Sequence, residues 1–398
     1  MYKLVKEMNF PDLFGFAAPC RMVSPDTEIV FLQNRKEVVL RDMRLSSGIV
    51  IVTVDDKLKR TQIPLPPIYF RHRYNCYRPP SVMGSAAYFL VRGEKGGSLV
   101  RFCDNNYTVR DIDADSVLCQ LKSCGASSLL VCAVDENAVE KGILCLDALS
   151  GEIKWTFAPK RMNFRLVQYC DMGNGHIAVL GGYAVPPTQS IGRAYIHTIY
   201  ILDYDGAIIE KIAIGKETIL AERIIAGLIE MSQISNTAIF FRKYGIFDFD
   251  ENRRNALAVL DLADGKMNRI PFAGKTLKSA VLSSEKEFCC IVAATDNERA
   301  TIQKIGVPAG NLMWSIEENE DIICKPIISN EGALVYSRRT PGGGELVIIE
   351  ADSGKTVESI PLKRRVHSLL QTQNHLYVCS FTGKMDPLDA KLRLSVFR

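Results

Sequence analysis

Ile143-Leu144-Cys145-Leu146-Asp147-Ala148-Leu149-Ser150-Gly151-Glu152-Ile153-Lys154-Trp155 holds the unit on which the whole chain is written. An apolar run, an acidic residue, a short turn ending in Gly and a second run describe a β-hairpin. Gly supplies the positive φ that a tight turn demands, and β-branched and aromatic residues build the pleated arms. Asp147 at the strand end is placed to accept hydrogen bonds from turn amides. The same phrase returns in Ala258-Val259-Leu260-Asp261-Leu262-Ala263-Asp264-Gly265-Lys266-Met267 and in Val347-Ile348-Ile349-Glu350-Ala351-Asp352-Ser353-Gly354-Lys355. Tyr200-Ile201-Leu202-Asp203-Tyr204-Asp205-Gly206 has a turn one residue shorter, and Gly310 is followed four residues later by Trp314, as Gly151 is by Trp155. Degenerate copies lie at Val54-Asp55-Asp56-Lys57 and Phe102-Cys103-Asp104-Asn105-Asn106.

The copies recur about every 45 to 60 residues, and each interval holds two further strand candidates, such as Ala178-Val179-Leu180 and Ala238-Ile239-Phe240-Phe241. One unit is therefore about four strands, the content of a propeller blade. Seven hairpins are visible. After the last, the stretches beginning at Val366, His375 and Lys391 supply three more strands, and Tyr2-Lys3-Leu4-Val5-Lys6 can supply the fourth. The expectation is an all-β chain, a single β-propeller domain over 1–398 built of four-stranded antiparallel blades. Eight blades are expected, with seven plus terminal extensions as the alternative. Closure by the N-terminal strand in the C-terminal blade would remove the open sheet edges that invite aggregation.

Leu146-Asp147-Ala148-Leu149-Ser150-Gly151-Glu152-Ile153-Lys154-Trp155 resembles the repeat of the PQQ-like (quinoprotein alcohol dehydrogenase-like) β-propeller superfamily. The resemblance covers the repeated core of most blades and implies the fold; many propellers with this repeat bind no quinone. The enzymes it resembles are periplasmic and rich in docking tryptophans. This chain has two Trp and lacks a Cys-x-x-Cys-His haem motif.

Composition narrows the class further. The 398 residues are 47% hydrophobic and 24% charged, which excludes a disordered or collagen-like chain. A net charge of +4 is too small to argue for nucleic acid, and apolar runs fall short of a membrane span, so neither nucleic-acid binding nor membrane insertion is expected. Twelve scattered Cys sit mostly in apolar runs, as buried thiols do in a reducing compartment. Lys3, Lys6, Glu7 and Asp12 interrupt what a secretory leader would need as its apolar core, and a cytoplasmic location is expected.

Chemistry-bearing residues gather in two places. Tyr69-Phe70-Arg71-His72-Arg73-Tyr74-Asn75-Cys76-Tyr77-Arg78 interleaves guanidinium forks with amphipathic rings, a combination suited to carboxylate, phosphate or acidic peptide. Arg71, His72, Arg73, Tyr74, Tyr77 and Arg78 are its candidate binding residues. Two units are also lengthened between their second and third strands, at 183–194 and 242–255, and such loops emerge on one face. Their candidates are Arg193, Arg242, Tyr244, Phe247, Phe249, Arg253 and Arg254, a mixture suited to interface hot spots.

Other motifs carry less. Cys289-Cys290 lies in a strand pattern that sends the two side chains to opposite faces, against the vicinal disulfide that the resemblance implies for quinone enzymes. Asp248-Phe249-Asp250-Glu251-Asn252 opens like a calcium loop but has Arg253 where Gly is required. The five His form no metal pair, and Gly342-Gly343-Gly344 reads as a hairpin loop. No metal and no cofactor are expected. The function expected is a non-catalytic scaffold that binds a protein or peptide through the 183–194 and 242–255 loops. The alternative is an enzyme for a small anionic ligand at the channel mouth, with Arg71, His72, Arg73 and Tyr74 as its binding or acid/base groups.

Overall fold

A computed structural model of the chain describes residues 2–10, 18–24, 27–39, 44–55, 60–64, 68–70, 81–92, 96–103, 106–134, 140–159, 164–173, 175–185, 194–218, 230–235, 238–242, 256–261, 267–271, 276–284, 287–293, 299–306, 309–322, 324, 326–372, 374–382 and 391–398. The chain divides into two compact units, one of residues 1–115 with 318–398 and one of residues 116–317.

In the second unit four consecutive strands make each sheet, in antiparallel order. The 117–157 sheet is Val117–Cys124, Ser128–Val134, Glu140–Asp147 and Ile153–Phe157. The 164–218 sheet is Phe164–Asp171, His176–Val185, Ala194–Asp203 and Ile208–Thr218. The 230–271 sheet is Glu230–Ser235, Ala238–Arg242, Ala256–Asp261 and Met267–Pro271, and the 276–317 sheet is Thr276–Ser284, Glu287–Ala293, Thr301–Gly306 and Leu312–Glu317.

The first unit holds two sheets of the same construction. One is Ser81–Met83, Ala86–Arg92, Gly97–Cys103 and Asn106–Ile112; the other is Ile327–Ile328, Leu334–Thr340, Gly343–Ile349 and Thr356–Leu362. Two more assemblies of that unit depart from this plan. Ala18–Ser24, Thr27–Val39, Arg44–Asp55 and Arg60–Pro64 are joined by a fifth strand, Ile68–Phe70, on Arg44–Asp55. Arg365–Gln371, Leu376–Thr382 and Lys391–Phe397 are completed by Leu4–Phe10 from the other end of the chain.

The expected count of eight uniform blades, or seven, is therefore corrected: the blade of four consecutive strands occurs six times. Each Gly turn marks a hairpin but does not report how many strands join it, and so the count of turns overran the count of regular blades. The pairing of the N-terminal strand with the last strand does hold, with Leu4 opposite Phe397 and Phe10 opposite Leu392. Backbone bonds between Lys3 and Arg398 extend it, at 2.9 and 3.0 Å.

The Gly turns join the third and fourth strands, as the hairpin reading requires. Gly151 has φ 78° and donates its N–H to Asp147 O at 2.9 Å, while Asp147 N–H donates to Glu152 O at 2.8 Å. Glu350–Lys355 and Gly306–Asn311 repeat that pair of bonds, with Glu350 and Gly306 in the place of Asp147. Asp147 Oδ1 accepts from the amides of Leu149 (2.9 Å) and Ser150 (3.0 Å), and Asp203 Oδ1 from those of Asp205 and Ala207. These bonds hold the Asp147 carboxyl below the usual carboxylate range, the Ser150 amide contributing most.

Burial orders the strands within each sheet. The fourth strands Asn106–Ile112, Ile153–Phe157, Leu312–Glu317 and Thr356–Leu362 are largely exposed, whereas Ser128–Val134 is buried along nearly its whole length. First strands neighbour one another instead: Val117–Cys124 lies beside Phe164–Asp171, and that beside Glu230–Ser235. First strands are thus inner and fourth strands outer. Between the 117–157 and 164–218 sheets the core includes Leu130, Ile143, Phe157, Tyr169, Val179 and Tyr200. Tyr200 meets Phe157 edge-on at 5.3 Å, a geometry favoured by ring quadrupoles. In the first unit Val335, Leu346, Ile348, Val366, Leu376 and Phe397 form the corresponding layer. Among the described residues no helix is long and apolar enough to cross a membrane.

Candidate functional site

The two ends of these sheets differ in construction. At one end are the tight turns between first and second and between third and fourth strands. At the other are the connections from second to third strands and from each sheet to the next. Glu230 pairs with Arg242 at this connection end of the 230–271 sheet. Val185 pairs with Ala194 and Ala194 with Thr218 at the same end of the 164–218 sheet. Residues 186–193, 219–229 and 243–255, which follow or precede these strand ends in sequence, lie outside the described residues.

Of the residues singled out in the sequence, Arg242 is the last of its strand, opposite both Glu230 and Leu257. Arg71, His72, Arg73, Tyr74, Tyr77 and Arg78 lie outside the described residues, as do Arg193, Tyr244, Phe247, Phe249, Arg253 and Arg254. The strand just before the first cluster, Ile68–Phe70, is the added fifth strand of the first sheet.

A charged cluster that the sequence reading passed over stands at the connection end of the first unit. Glu318, 6% exposed, sits in the segment that leads into the 327–362 sheet. Its carboxylate accepts the phenol O–H of Tyr336 at 2.9 Å and both oxygens take Arg338 Nη1, at 3.2 and 3.0 Å. Arg338 turns its Nε and Nη2 to Glu345 Oε2, at 2.7 and 2.6 Å. The inner strand here is cut to Ile327–Ile328, and Ile322 bridges to Arg338 where a longer strand would have paired.

Burial pushes the Tyr336 phenol well above its ordinary value, and the Glu318 charge adds to this. Burial acts against the Arg338 charge, but the bonds to Glu318 and Glu345 outweigh it and hold the guanidinium charged. The cluster therefore braces the connection. A hairpin was legible here, but its loop is Pro341-Gly342 and not Gly342-Gly343-Gly344: Gly343 and Gly344 belong to the following strand, which sets Arg338 opposite Glu345. Glu318 was not legible, because it reaches Arg338 from outside the hairpin.

At the turn end, contacts run from sheet to sheet. Trp155 Nε1 donates to Tyr204 O at 2.8 Å, and its ring covers Gly206 so closely that a Cβ there would lie 2.6 Å from Cδ2. Ile270 covers Gly310 in the same manner. Asp171 accepts the Tyr204 hydroxyl and the Gly125 amide, each at 2.7 Å. Burial, then Asp171, raise the Tyr204 phenol. Among the described residues no group of His, Cys, Asp and Glu is arranged to hold a metal ion.

No family model and no curated protein matches the sequence. Solved structures do match the fold. Quinohemoprotein alcohol dehydrogenase from Comamonas testosteroni is similar over 100% of this chain and 76% of its own, with TM-score 0.54 and 11% identity. Sqt1 from Saccharomyces cerevisiae is similar over 98% of each chain, with TM-score 0.54 and 10% identity. The β-propeller domain of the Trilobed protease from Pyrococcus furiosus gives TM-score 0.51 and 13% identity over 88% of this chain and 99% of its own. The chain has a β-propeller fold. At these identities the likeness concerns fold alone.

Cys289 is buried on a middle strand, where burial raises its thiol to about 11.

Proposed function

We propose that the protein is a cytoplasmic, non-catalytic propeller that binds a protein or peptide through the connection end of its second unit. The observation that carries this reading is the register that brings the strand ends Val185, Ala194, Thr218, Glu230 and Arg242, between which the sequence inserts its longest connections, to the same end of two successive sheets. Long connections on a rigid β scaffold are where recognition surfaces are built. The sequence of these segments suits the role. Ile219, Leu220, Ile224, Ile225, Leu228 and Ile229 offer apolar area, and Tyr244, Phe247, Phe249, Arg253 and Arg254 offer the ring and guanidinium anchors of interface hot spots. None of the nine cysteines whose side chains are described is in a disulfide, as a reducing compartment would have it.

Affinity capture from native cytoplasm tests it, with the full chain compared against a variant whose 243–255 segment is replaced by a short Gly/Ser turn. The expected outcome is loss of a defined partner from the variant while its circular dichroism and melting are kept. An identical set of partners on both proteins overturns the proposal.

A further inference from the structure

We propose that Cys119 and Cys132 are a redox-responsive pair that closes into a disulfide across the inner edge of the 117–157 sheet. The two are directly opposed Cα partners on antiparallel strands. Directly opposed residues of such strands have Cα atoms about 4.5 or 5.5 Å apart, and both values fall within the roughly 4.4–6.8 Å that a disulfide spans. Both side chains lie on one face: Cys132 is a member of the core between the 117–157 and 164–218 sheets, and Cys119 packs against that core. Neither is in a disulfide in the structure. Cys145 shares this core, but its partner is Leu130 while that of Cys132 is Ile143, so the two cysteines stand on a diagonal. Diagonal neighbours are about 7–8 Å apart, beyond disulfide reach.

Exposure orders the chemistry. Cys119 is partly open, whereas Cys132 is fully buried. With a peroxide as oxidant, Cys119 is oxidised first to a sulfenic acid with release of one water. The Cys132 sulfur then displaces the sulfenic oxygen, which leaves as a second water. One O–O and two S–H bonds are broken, one S–S bond forms, and the peroxide takes up the two electrons and two protons.

The location gives the bond a consequence. Register shifts between Cys119 and Leu121, leaving Gln120 as a bulge with φ 57°, a conformation uncommon for a non-Gly residue. The carbonyl of Gln120 accepts the hydroxyl of Tyr169 in the next sheet, and Lys122 Nζ donates to Tyr169 O. A bond at Cys119 would fix the bulge on which this inter-sheet contact rests.

The test treats the purified full chain with hydrogen peroxide, denatures it in a maleimide and maps tryptic peptides. Cleavage after Lys122 separates Cys119 from Cys132, so the bond joins two peptides into a species lighter by two hydrogens than their sum. Fragmentation must place the link on Cys132 and not on Cys124, which shares its peptide. The species is expected in the wild type and in Cys124→Ser, and absent from Cys119→Ser and Cys132→Ser. Maleimide on both Cys119 and Cys132 of the wild type, at a dose that has converted the half-exposed Met313 to its sulfoxide, overturns the proposal. So does a link that survives in Cys132→Ser.

Discussion

The turn end and the connection end of the sheets obey different rules. At the turn end one device is repeated: a Gly at positive φ, a carbonyl four residues back and a paired amide, seen alike at Asp147, Gly306 and Glu350. Among the described residues the connection end shows no such repeated device. One sheet receives a buried Glu318 bound to Tyr336 and Arg338, while another ends in the pair Glu230 and Arg242, where the sequence is longest between strands. Short-range backbone geometry shapes each turn of the first end, with contacts such as Trp155 to Tyr204 added between sheets, while at the second the described bracing comes from side chains. The scaffold thus places its regularity where it has to hold and its variety where it has room to differ.

The largest effect should come from breaking the brace at the connection end. Arg338→Ala leaves the Glu318 carboxylate buried without its cation and should cost about 3–5 kcal/mol in denaturant unfolding. A loss under about 0.5 kcal/mol would mean that the cluster is solvated and does not brace this end.

Trp155→Ala should come next, at about 3 kcal/mol, because it strips the ring that seals the neighbouring turn. Gly206→Ala should cost about 1–3 kcal/mol, from a side chain forced into positive φ and against that ring. In the Trp155→Ala background the ring clash is gone, so the cost of Gly206→Ala should fall. Strict additivity of the two would show that the ring and the turn are not in contact.

Asp147→Ala removes the carboxylate acceptor from two turn amides and should cost about 1 kcal/mol at neutral pH. Its native carboxyl is depressed, so the carboxylate contributes stability above the unfolded value of about 3.9 and loses it as pH falls through the lower native value. The gap between wild type and Asp147→Ala should therefore be constant from pH 5 to 7, values chosen as roughly the plateau above that range, and should narrow in acid. A gap that stays constant down to the acid unfolding limit would assign the effect to something other than this carboxylate.

The smallest stability change belongs to shortening 243–255. Loop closure depends weakly on length, about 0.6 kcal/mol per doubling, so the variant should melt near the wild type while losing its partner. A large loss of stability would make the segment part of the core and not a recognition surface.

The legible part of the fold follows from local chemistry. Asp147, Ser150 and Gly151 write their turn within five residues, and the unbroken apolar run Leu334-Val335-Tyr336 writes its buried strand. The number of regular blades could not be counted from the turns, because a hairpin's sequence does not say that a fifth strand, Ile68–Phe70, docks on Arg44–Asp55. Glu318 was equally hidden, since its meaning comes from Tyr336 and Arg338 nearly twenty residues onward.

By itself, then, the sequence determined that the chain is made of β-hairpins, where each Gly turn falls, and that the first strand closes on the last. The tertiary structure decided which sheets carry extra strands, that a buried carboxylate braces one connection, and that Cys119 faces Cys132 across a bulge. The physical reason is range. A turn is set by φ and by hydrogen bonds among neighbours in the chain, whereas burial and charge pairing depend on what folding brings alongside.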